Sequence, residues 1–367
     1  MYNRIMDKDS KQFVPARPGL PWATPCFQAP KIEGLAWTDI PPSAVEGRGW
    51  DGTKMPFDRL PPEAEPIAAD LWDNSRSPTG MCFDFETDST AVAVRTKLGL
   101  AQYGEPNFNA TAYCGVDLYA WDDEQGRWRW AGAMHHSDAT GPEMEYGLCW
   151  NMRRKARRFR MYLPMRNQLL ALSLGVDEGA RLSLVPPRRE KPIVYYGTSI
   201  IHGAFTSRAG LGVPQMLGRR LGRPMINLGF SGCARLEPEM ADILAQIDAG
   251  IFVCDPFHNS DYNRFKANID PFFDRLCGAH PETPVFLLSA PPFHNSWLYP
   301  EIREAQGSLG RLFAEKAAEI SKRHANFRFV PGEEFYDDET SIDGVHPNDV
   351  AFATMADKLE PILRAAL

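Results

Sequence analysis

Between residues 81 and 184 the apolar side chains recur at every second position, in short runs. Met81–Glu86, Ala91–Lys97, Gly115–Tyr119, Arg127–Trp130, Arg158–Leu163, Leu170–Leu174 and Arg181–Leu184 all follow this rule. A period of two places one face of a strand on a core and the other in solvent. Turn-forming stretches such as Asp122–Gly126 and Val176–Gly179 separate the runs. Short strands without long helices predict an all-β sandwich of jelly-roll type. The first 70 or so residues are rich in Pro and Trp, with a boundary good to only about 2–4 residues. They are expected to wrap the sandwich or to pack between domains.

The period changes after the proline-rich, charged segment Pro186–Pro192, which has the composition of a linker. Beyond it come short, wholly apolar runs: Pro192–Tyr196, Pro224–Leu228, Ile251–Cys254, Val285–Ser289 and Phe327–Val330. These read as strands buried on both faces. Between them lie helical patterns. Met240, Ile243, Leu244 and Ile247 recur at spacings of three and four, as do Phe265, Ile269, Phe272, Phe273 and Leu276. Arg303–His324 and Asp349–Leu367 predict two further helices. Alternating strands and helices imply a parallel sheet covered on both faces. The expected organisation is a β-sandwich domain over 1–186 and an α/β domain over 192–367.

Composition narrows the possibilities. The chain has 367 residues and a formal net charge of -7, so a general nucleic-acid or anionic-membrane binder is disfavoured. Its length suggests two domains. The one basic run, Arg153–Arg158, precedes a strand pattern and is expected to be a solvated strand edge. The seven cysteines have no CxxC spacing and mostly sit inside apolar runs, so neither a disulfide framework nor a metal site is expected. No apolar run reaches the roughly 18 residues of a spanning helix. The first residues contain no apolar signal-peptide core, which predicts a cytoplasmic enzyme.

In a parallel sheet, ligands bind beyond the carboxyl ends of the strands. Four such ends carry chemistry: Gly197–Gly203 with Ser199, Asn227–Gly232, Asp255–Asn259, and Ser341–Pro347 with Asp343 and His346. Each has a structural alternative. Ser199 is a candidate helix cap, Gly229 and Gly232 suit a tight turn, Asn259 suits a turn, and Asp343-Gly344 suits another. Together they supply a nucleophile, a base with its orienter and oxyanion donors, the inventory for acyl transfer. A Gly-x-Ser-x-Gly elbow is absent around Ser199, which disfavours an α/β-hydrolase.

The blocks resemble those of the SGNH, or GDSL-type, hydrolases. Gly197-Thr198-Ser199 is similar to the GDS block with Thr in place of Asp, and Asn227–Gly232 to the glycine block. Asp343-Gly344-Val345-His346 matches DxxH, whereas Asp255-Pro256-Phe257-His258-Asn259 replaces the usual Gly-x-Asn-Asp. Gly115-Val116-Asp117-Leu118-Tyr119 resembles the GxDLY signature of a sandwich domain that precedes some of these hydrolases, and also reads as one more alternating strand. The arrangement is similar to that of bacterial carbohydrate acetylesterases.

The resemblance implies a flavodoxin-like three-layer α/β/α domain with a five-stranded parallel sheet. It implies catalysis by Ser199, His346 and Asp343, with Ser199, Gly232 and Asn259 forming the oxyanion hole and no cofactor or metal. The implied substrate is a small-molecule or oligosaccharide ester, with acetyl removed from a carbohydrate or polyol. A general short-chain esterase, lipase or thioesterase, or an inactive glycan-binding protein, are the alternatives. His202, His258, Phe293 and Trp297 are candidate substrate contacts. For the histidines the alternative is bonding to backbone, and for the aromatics it is packing. Oligomerisation stays open.

Overall fold

The computed structural model describes residues 32–134 and 142–367. Most of the proline- and tryptophan-rich start, up to residue 31, lies outside the described residues. In chain order the strands are β1 Leu35–Asp39, β2 Cys82–Thr87, β3 Val92–Leu98, β4 Asp117–Asp122, β5 Arg127–Ala133, β6 Glu143–Cys149, β7 Arg157–Tyr162, β8 Leu169–Asp177 and β9 Leu182–Val185. They form two antiparallel sheets, ordered β1-β8-β3-β6 and β5-β4-β7-β2-β9. This is the expected sandwich. β1 and β6 were not marked by the alternation. β6 gains its place by pairing with β3, and β1 by pairing with β8, both contacts remote in sequence.

The basic run is solvated as expected, with Arg153 to Lys155 exposed, but the strand it enters is not an edge. β7 lies inside its sheet, hydrogen-bonded to β4 and β2. Arg160 is 2% exposed. Its guanidinium donates to both carboxylate oxygens of Asp84 at 2.7 and 3.0 Å and lies 4.8 Å from the Trp128 ring centre. A neighbouring-strand carboxylate and an aromatic face make an interior arginine tolerable, and neither partner is near it in sequence.

The second half builds β10 Ile193–Gly197, β11 Met225–Gly229, β12 Ile251–Asp255, β13 Val285–Leu288 and β14 Phe327–Val330. They pair in parallel in the order β11-β10-β12-β13-β14. Every residue of the first four is buried, as strands covered on both faces must be. The short helices α1 Ala69–Asn74 and α2 Ala110–Tyr113 precede this domain, and α3 Ser199–His202 and α4 Val213–Arg220 follow β10. Then come α5 Pro238–Leu244, α6 Tyr262–Ala279, α7 Pro300–Arg323 and α8 Asp349–Arg364. α5, α6 and α7 pack together, while α4 packs on α8. The chain leaves β10 for β11 on one side, then returns to β12 on the other. The carboxyl end of β10 is therefore the switch point of the sheet, where a crevice opens.

One apolar cluster runs from the sandwich, through Phe83, Phe159 and Met161, into the α4/α8 layer with Leu217, Phe352 and Leu359. A second lies under α5–α7 and takes in Leu60, Leu71 and Trp72 from the segment before β2. That segment thus packs against the α/β domain.

The GxDLY residues sit at this junction. Asp117 has no exposed surface. Its carboxylate accepts from Trp130 Nε1 at 3.0 Å, from Arg208 Nη1 at 2.6 Å and from the Gly210 N–H at 2.8 Å. Arg208 Nη1 also donates to Tyr119 Oη at 2.6 Å, and the Arg219 guanidinium lies 4.0 Å from the Tyr119 ring centre. Gly115 lets the strand enter here, because a Cβ would lie 2.3 Å from Thr111 O. Breaking a buried ion pair from one side is costly, about 3–5 kcal/mol. Asp117→Ala is therefore expected to lower unfolding free energy by roughly 3 kcal/mol or more in urea titration. A loss below about 0.5 kcal/mol, the range of ordinary surface changes, would contradict this role.

Candidate active site

Four strand ends meet at the switch point. After β10, Thr198 caps α3 by accepting the Ile200 N–H at 3.3 Å, and Ser199 is the first helical residue. Its N–H belongs to the first turn, which has no intrahelical acceptor. Ser199 is 6% exposed, and its Oγ lies 2.7 Å from His346 Nε2. His346 Nδ1 lies 2.8 Å from Asp343 Oδ2. The other Asp343 oxygen accepts the N–H groups of Val345 and His346 at 3.0 and 2.8 Å. Gly344 stands at φ +87°, which closes this turn and is strained for other residues. Asn348 then caps α8 by accepting two backbone N–H groups. The DxxH spacing is thus a turn, a helix entry and a charge relay geometry in one segment.

Partial burial works to raise the Asp343 carboxyl. The hydrogen bonds from the His346 N–H, the His346 ring and the Val345 N–H outweigh it and hold the group below its ordinary value. The ring nitrogen facing Ser199 is therefore an acceptor when Nδ1 carries the proton.

After β11, Phe230 to Cys233 form a turn closed by the Cys233 N–H on Phe230 O at 3.1 Å, with Gly232 at φ +74°. The Phe230 N–H donates to Gly197 O at 2.8 Å, tying this turn to the end of β10. Gly229 permits the approach, since a Cβ there would lie 2.1 Å from His202 N. After β12, the Asn259 side chain reaches the same turn. Its Nδ2 lies 3.5 Å from Phe230 O and hydrogen-bonds Cys233 O. The divergent third block thus delivers Asn259 beside Gly232.

The histidines and aromatics divide. His202 is fully buried and faces away from the crevice: Nε2 lies 2.8 Å from Met165 O and 3.0 Å from Thr79 Oγ1, and Nδ1 3.2 Å from Ser231 Oγ. Burial, with the nearby charges of Arg59 and Arg166, holds it well below its ordinary value. It therefore stays neutral, enclosed between Thr79, Met165 and the turn after β11. His258 lies nearer the triad. Its Nε2 is 3.3 Å from Tyr336 Oη, which donates to Val345 O at 2.6 Å, and its ring stacks on Phe293 at 5.5 Å. Burial, then His346 and His294, push it down to about 3. His294 N donates to Gly344 O at 2.8 Å, pinning the loop that carries Phe293 and Trp297 to the triad turn. Trp297 is 71% exposed on that loop. A cavity of about 600 Å³ lies behind it, lined by Phe257, Pro292, Arg303, Gly307 and Glu333 among others, with no triad residue in its wall.

Three contributors escaped sequence reading. Phe205, at φ +66°, sets its ring 5.2 Å from that of His346. It is held by the Phe205 N–H on Asn107 O at 2.8 Å, and Asn109 Nδ2 donates to Thr206 O at 2.9 Å. Tyr336 anchors the Asp343–His346 turn through Val345 O, and Arg59 lies under the turn after β11. A φ above zero at Phe205 leaves no mark in a sequence pattern. Among the described residues no group of three or more His, Cys, Asp or Glu has metal-binding geometry. None of the described helices is long and apolar enough to cross a membrane.

Residues 190–364 match the GDSL-like lipase/acylhydrolase family, and residues 35–182 match the N-terminal domain of SGNH hydrolase-type esterases. The chain belongs to this family, in its two-domain form, and is a carboxylic ester hydrolase. No curated protein sequence matches the chain significantly. Among solved structures it is similar to a Bacteroides ovatus ATCC 8483 protein assigned to the GDSL-like lipases, at 27% identity and TM-score 0.82, over 90% of this chain and 98% of that one. The salicylyl-acyltransferase SsfX3 of a tetracycline biosynthetic pathway shares the fold at 19% identity and TM-score 0.68, over 91% and 98%. An acetyl xylan esterase of the rumen bacterium Butyrivibrio proteoclasticus shares it at 13% identity and TM-score 0.52, over 90% and 99%.

Asp255 marks where this chain departs from the usual third block. It is 3% exposed, and Thr198 Oγ1 donates to it at 3.2 Å. Burial pushes its carboxyl up to about 7, against the hydrogen bonds from Thr198 and the Phe257 N–H. A raised acid is protonated in the folded chain while its unfolded counterpart, with a value of 3.8, has ionised. Its contribution is fully present below about pH 4 and is lost as pH rises through about 7. Asp255→Asn keeps an acceptor oxygen without the charge. Its melting temperature is expected to exceed that of the parent at pH 8 and to fall less between pH 5 and 8. Parallel pH profiles for the two proteins would count against a buried titrating carboxyl.

Proposed function

We propose that the chain is a serine esterase that removes small acyl groups, acetyl above all, from a carbohydrate or similar polyol. The observation that carries the reaction is the continuous line from Ser199 Oγ to His346 Nε2 and from His346 Nδ1 to Asp343 Oδ2, at 2.7 and 2.8 Å. Ser199 Oγ attacks the ester carbonyl as its proton passes to Nε2. Asp343 accepts the Nδ1 proton's hydrogen bond, selecting that tautomer and stabilising the imidazolium. As the tetrahedral intermediate collapses, the leaving alkoxide takes the proton from Nε2 and Ser199 holds the acyl group. Water then repeats the sequence, giving its proton to Nε2 and regenerating the serine.

The oxyanion hole is formed by the N–H groups of Ser199 and Gly232 and by one Asn259 amide hydrogen. The Asn259 amide is held beside Gly232 by its bond to Cys233 O, with Phe230 O at 3.5 Å. His258 supports the triad turn through Tyr336 and offers Phe293 a stacking partner on the crevice side.

The substrate class rests on the rim. The loop bearing Trp297 is fixed to Gly344, in the turn that carries His346, and presents exposed aromatic surface. Aromatic faces of that kind pack against the apolar faces of sugars. The fold shared with an acetyl xylan esterase supports the same reading.

Ser199→Ala should reduce hydrolysis of p-nitrophenyl acetate to near background while circular dichroism stays unchanged. Near-normal turnover by that variant would remove the assignment. Asn259→Ala should lower kcat about 10²–10³-fold, the usual worth of one oxyanion donor. For substrate class, kcat/KM on acetylated oligosaccharides is expected to exceed that on octanoyl esters at least tenfold. The opposite order would point to a general esterase.

A further inference from the structure

We propose that Arg59, from the segment between β1 and β2, is a positioning residue for the oxyanion hole. The inference rests on the assignment of Gly232 and Asn259 as oxyanion donors.

Arg59 is 2% exposed. All five of its N–H donors are used, and four of the five acceptors are backbone carbonyls. Nη1 donates to Gly229 O at 2.6 Å and to Asn227 O at 3.1 Å. Nη2 donates to Asn74 O at 2.6 Å and to Ser77 Oγ at 3.4 Å, and Nε to Ser77 O at 2.9 Å. The guanidinium also lies 4.7 Å from the Phe230 ring centre. Among the described residues no carboxylate hydrogen-bonds it, and the Asp58 charge only partly offsets its burial. Burial, with the charge of Arg166, lowers its affinity for a proton to about 9. A buried cation whose hydrogen bonds all go to neutral acceptors costs stability, so this position is not explained by stability alone.

The acceptors tell what it holds. The peptide unit between Gly229 and Phe230 is gripped at both ends. Its carbonyl faces Arg59, and its N–H donates to Gly197 O at the end of β10, two residues before Ser199. The next residues are the turn that carries the Gly232 N–H. The Asn227 carbonyl is held by the same guanidinium nitrogen, while the Asn227 side chain donates to Ile201 O and accepts the Gly229 N–H. Arg59 therefore sets the distance between the glycine block and the nucleophile strand. It does so from the remote segment Phe57–Thr79.

A planar fork with five donors fits these acceptors, whereas a lysine ammonium has only three donors on a single nitrogen. An active-site displacement of about 1 Å costs on the order of 10²-fold in rate.

The test uses the full chain with Arg59→Lys and Arg59→Met. Active sites are counted by stoichiometric reaction with an aryl phosphonate, and kcat is expressed per titrated site. The expected result is a fall in kcat of about 10²-fold for Arg59→Met and about tenfold or more for Arg59→Lys. KM should stay within about twofold, because the lost interaction acts in the transition state. The rate of phosphonylation at Ser199 should fall in step, since that adduct uses the same hole. A merely structural arginine would reduce the melting temperature or the number of titratable sites and leave kcat per site unchanged, and that result overturns the proposal. Should neither variant fold, Phe230→Leu removes the stacking face beneath the guanidinium and is judged by the same kcat per site. Residual full activity in Ser199→Ala would refute the esterase mechanism itself. An active parent with an Arg59-insensitive kcat refutes only the positioning role.

Discussion

A buried carboxylate joins the two halves of this molecule. Asp117 has lost all contact with water, and an ionised group in that state must find donors. One comes from its own sheet, Trp130, and two from the α/β domain, Arg208 and the Gly210 N–H. Satisfying it therefore seats residues 208–210 on the sandwich. That seat fixes the chain that runs out of the nucleophile helix, where Phe205 and Thr206 bond Asn107 and Asn109 of the sandwich. The sandwich thereby holds Phe205, whose ring lies against that of His346.

The site is built from charged and neutral groups kept apart by their surroundings. Asp343 is partly in solvent and bonded by three donors, so it holds its charge. Asp255, one strand end away and enclosed, is pushed towards the neutral acid. His202 and His258 are held neutral by burial, leaving His346 as the imidazole bonded to both a carboxylate and the serine. The His346 ring thus lies between the Ser199 hydroxyl and the charged Asp343 carboxylate. Such preorganisation needs a rigid surround, which the Tyr336 bond to Val345 and the His294 bond to Gly344 supply on the triad side.

Local pattern carried much of the architecture. Strands buried on both faces, such as Val285–Leu288, need continuous apolar runs, and half-buried strands such as Val92–Leu98 need alternation. Both are visible in one dimension. The DxxH segment was equally legible, because its turn, glycine and helix cap all lie within seven residues. What escaped was set by remote partners. The interior position of Arg160 depends on Asp84, far upstream, and β6 depends on its pairing with β3. His202 stands three residues from Ser199, yet its ring is claimed by Thr79, Met165 and Ser231.

The chain's own order of residues determined the two periodicities, the four strand-end blocks and the spacing of Asp343 from His346, since each is a local property of backbone and side-chain pattern. Only the tertiary structure decided that Asn259 lies beside Gly232, that Asp117 and Tyr119 clasp the hydrolase domain, and that Arg59 lies beneath the oxyanion-side turn. The physical reason is that buried polar groups take whatever partners the completed fold brings within about 3 Å. Those partners are 91 residues away for Asp117 and 170 for Arg59, a distance over which no periodicity speaks.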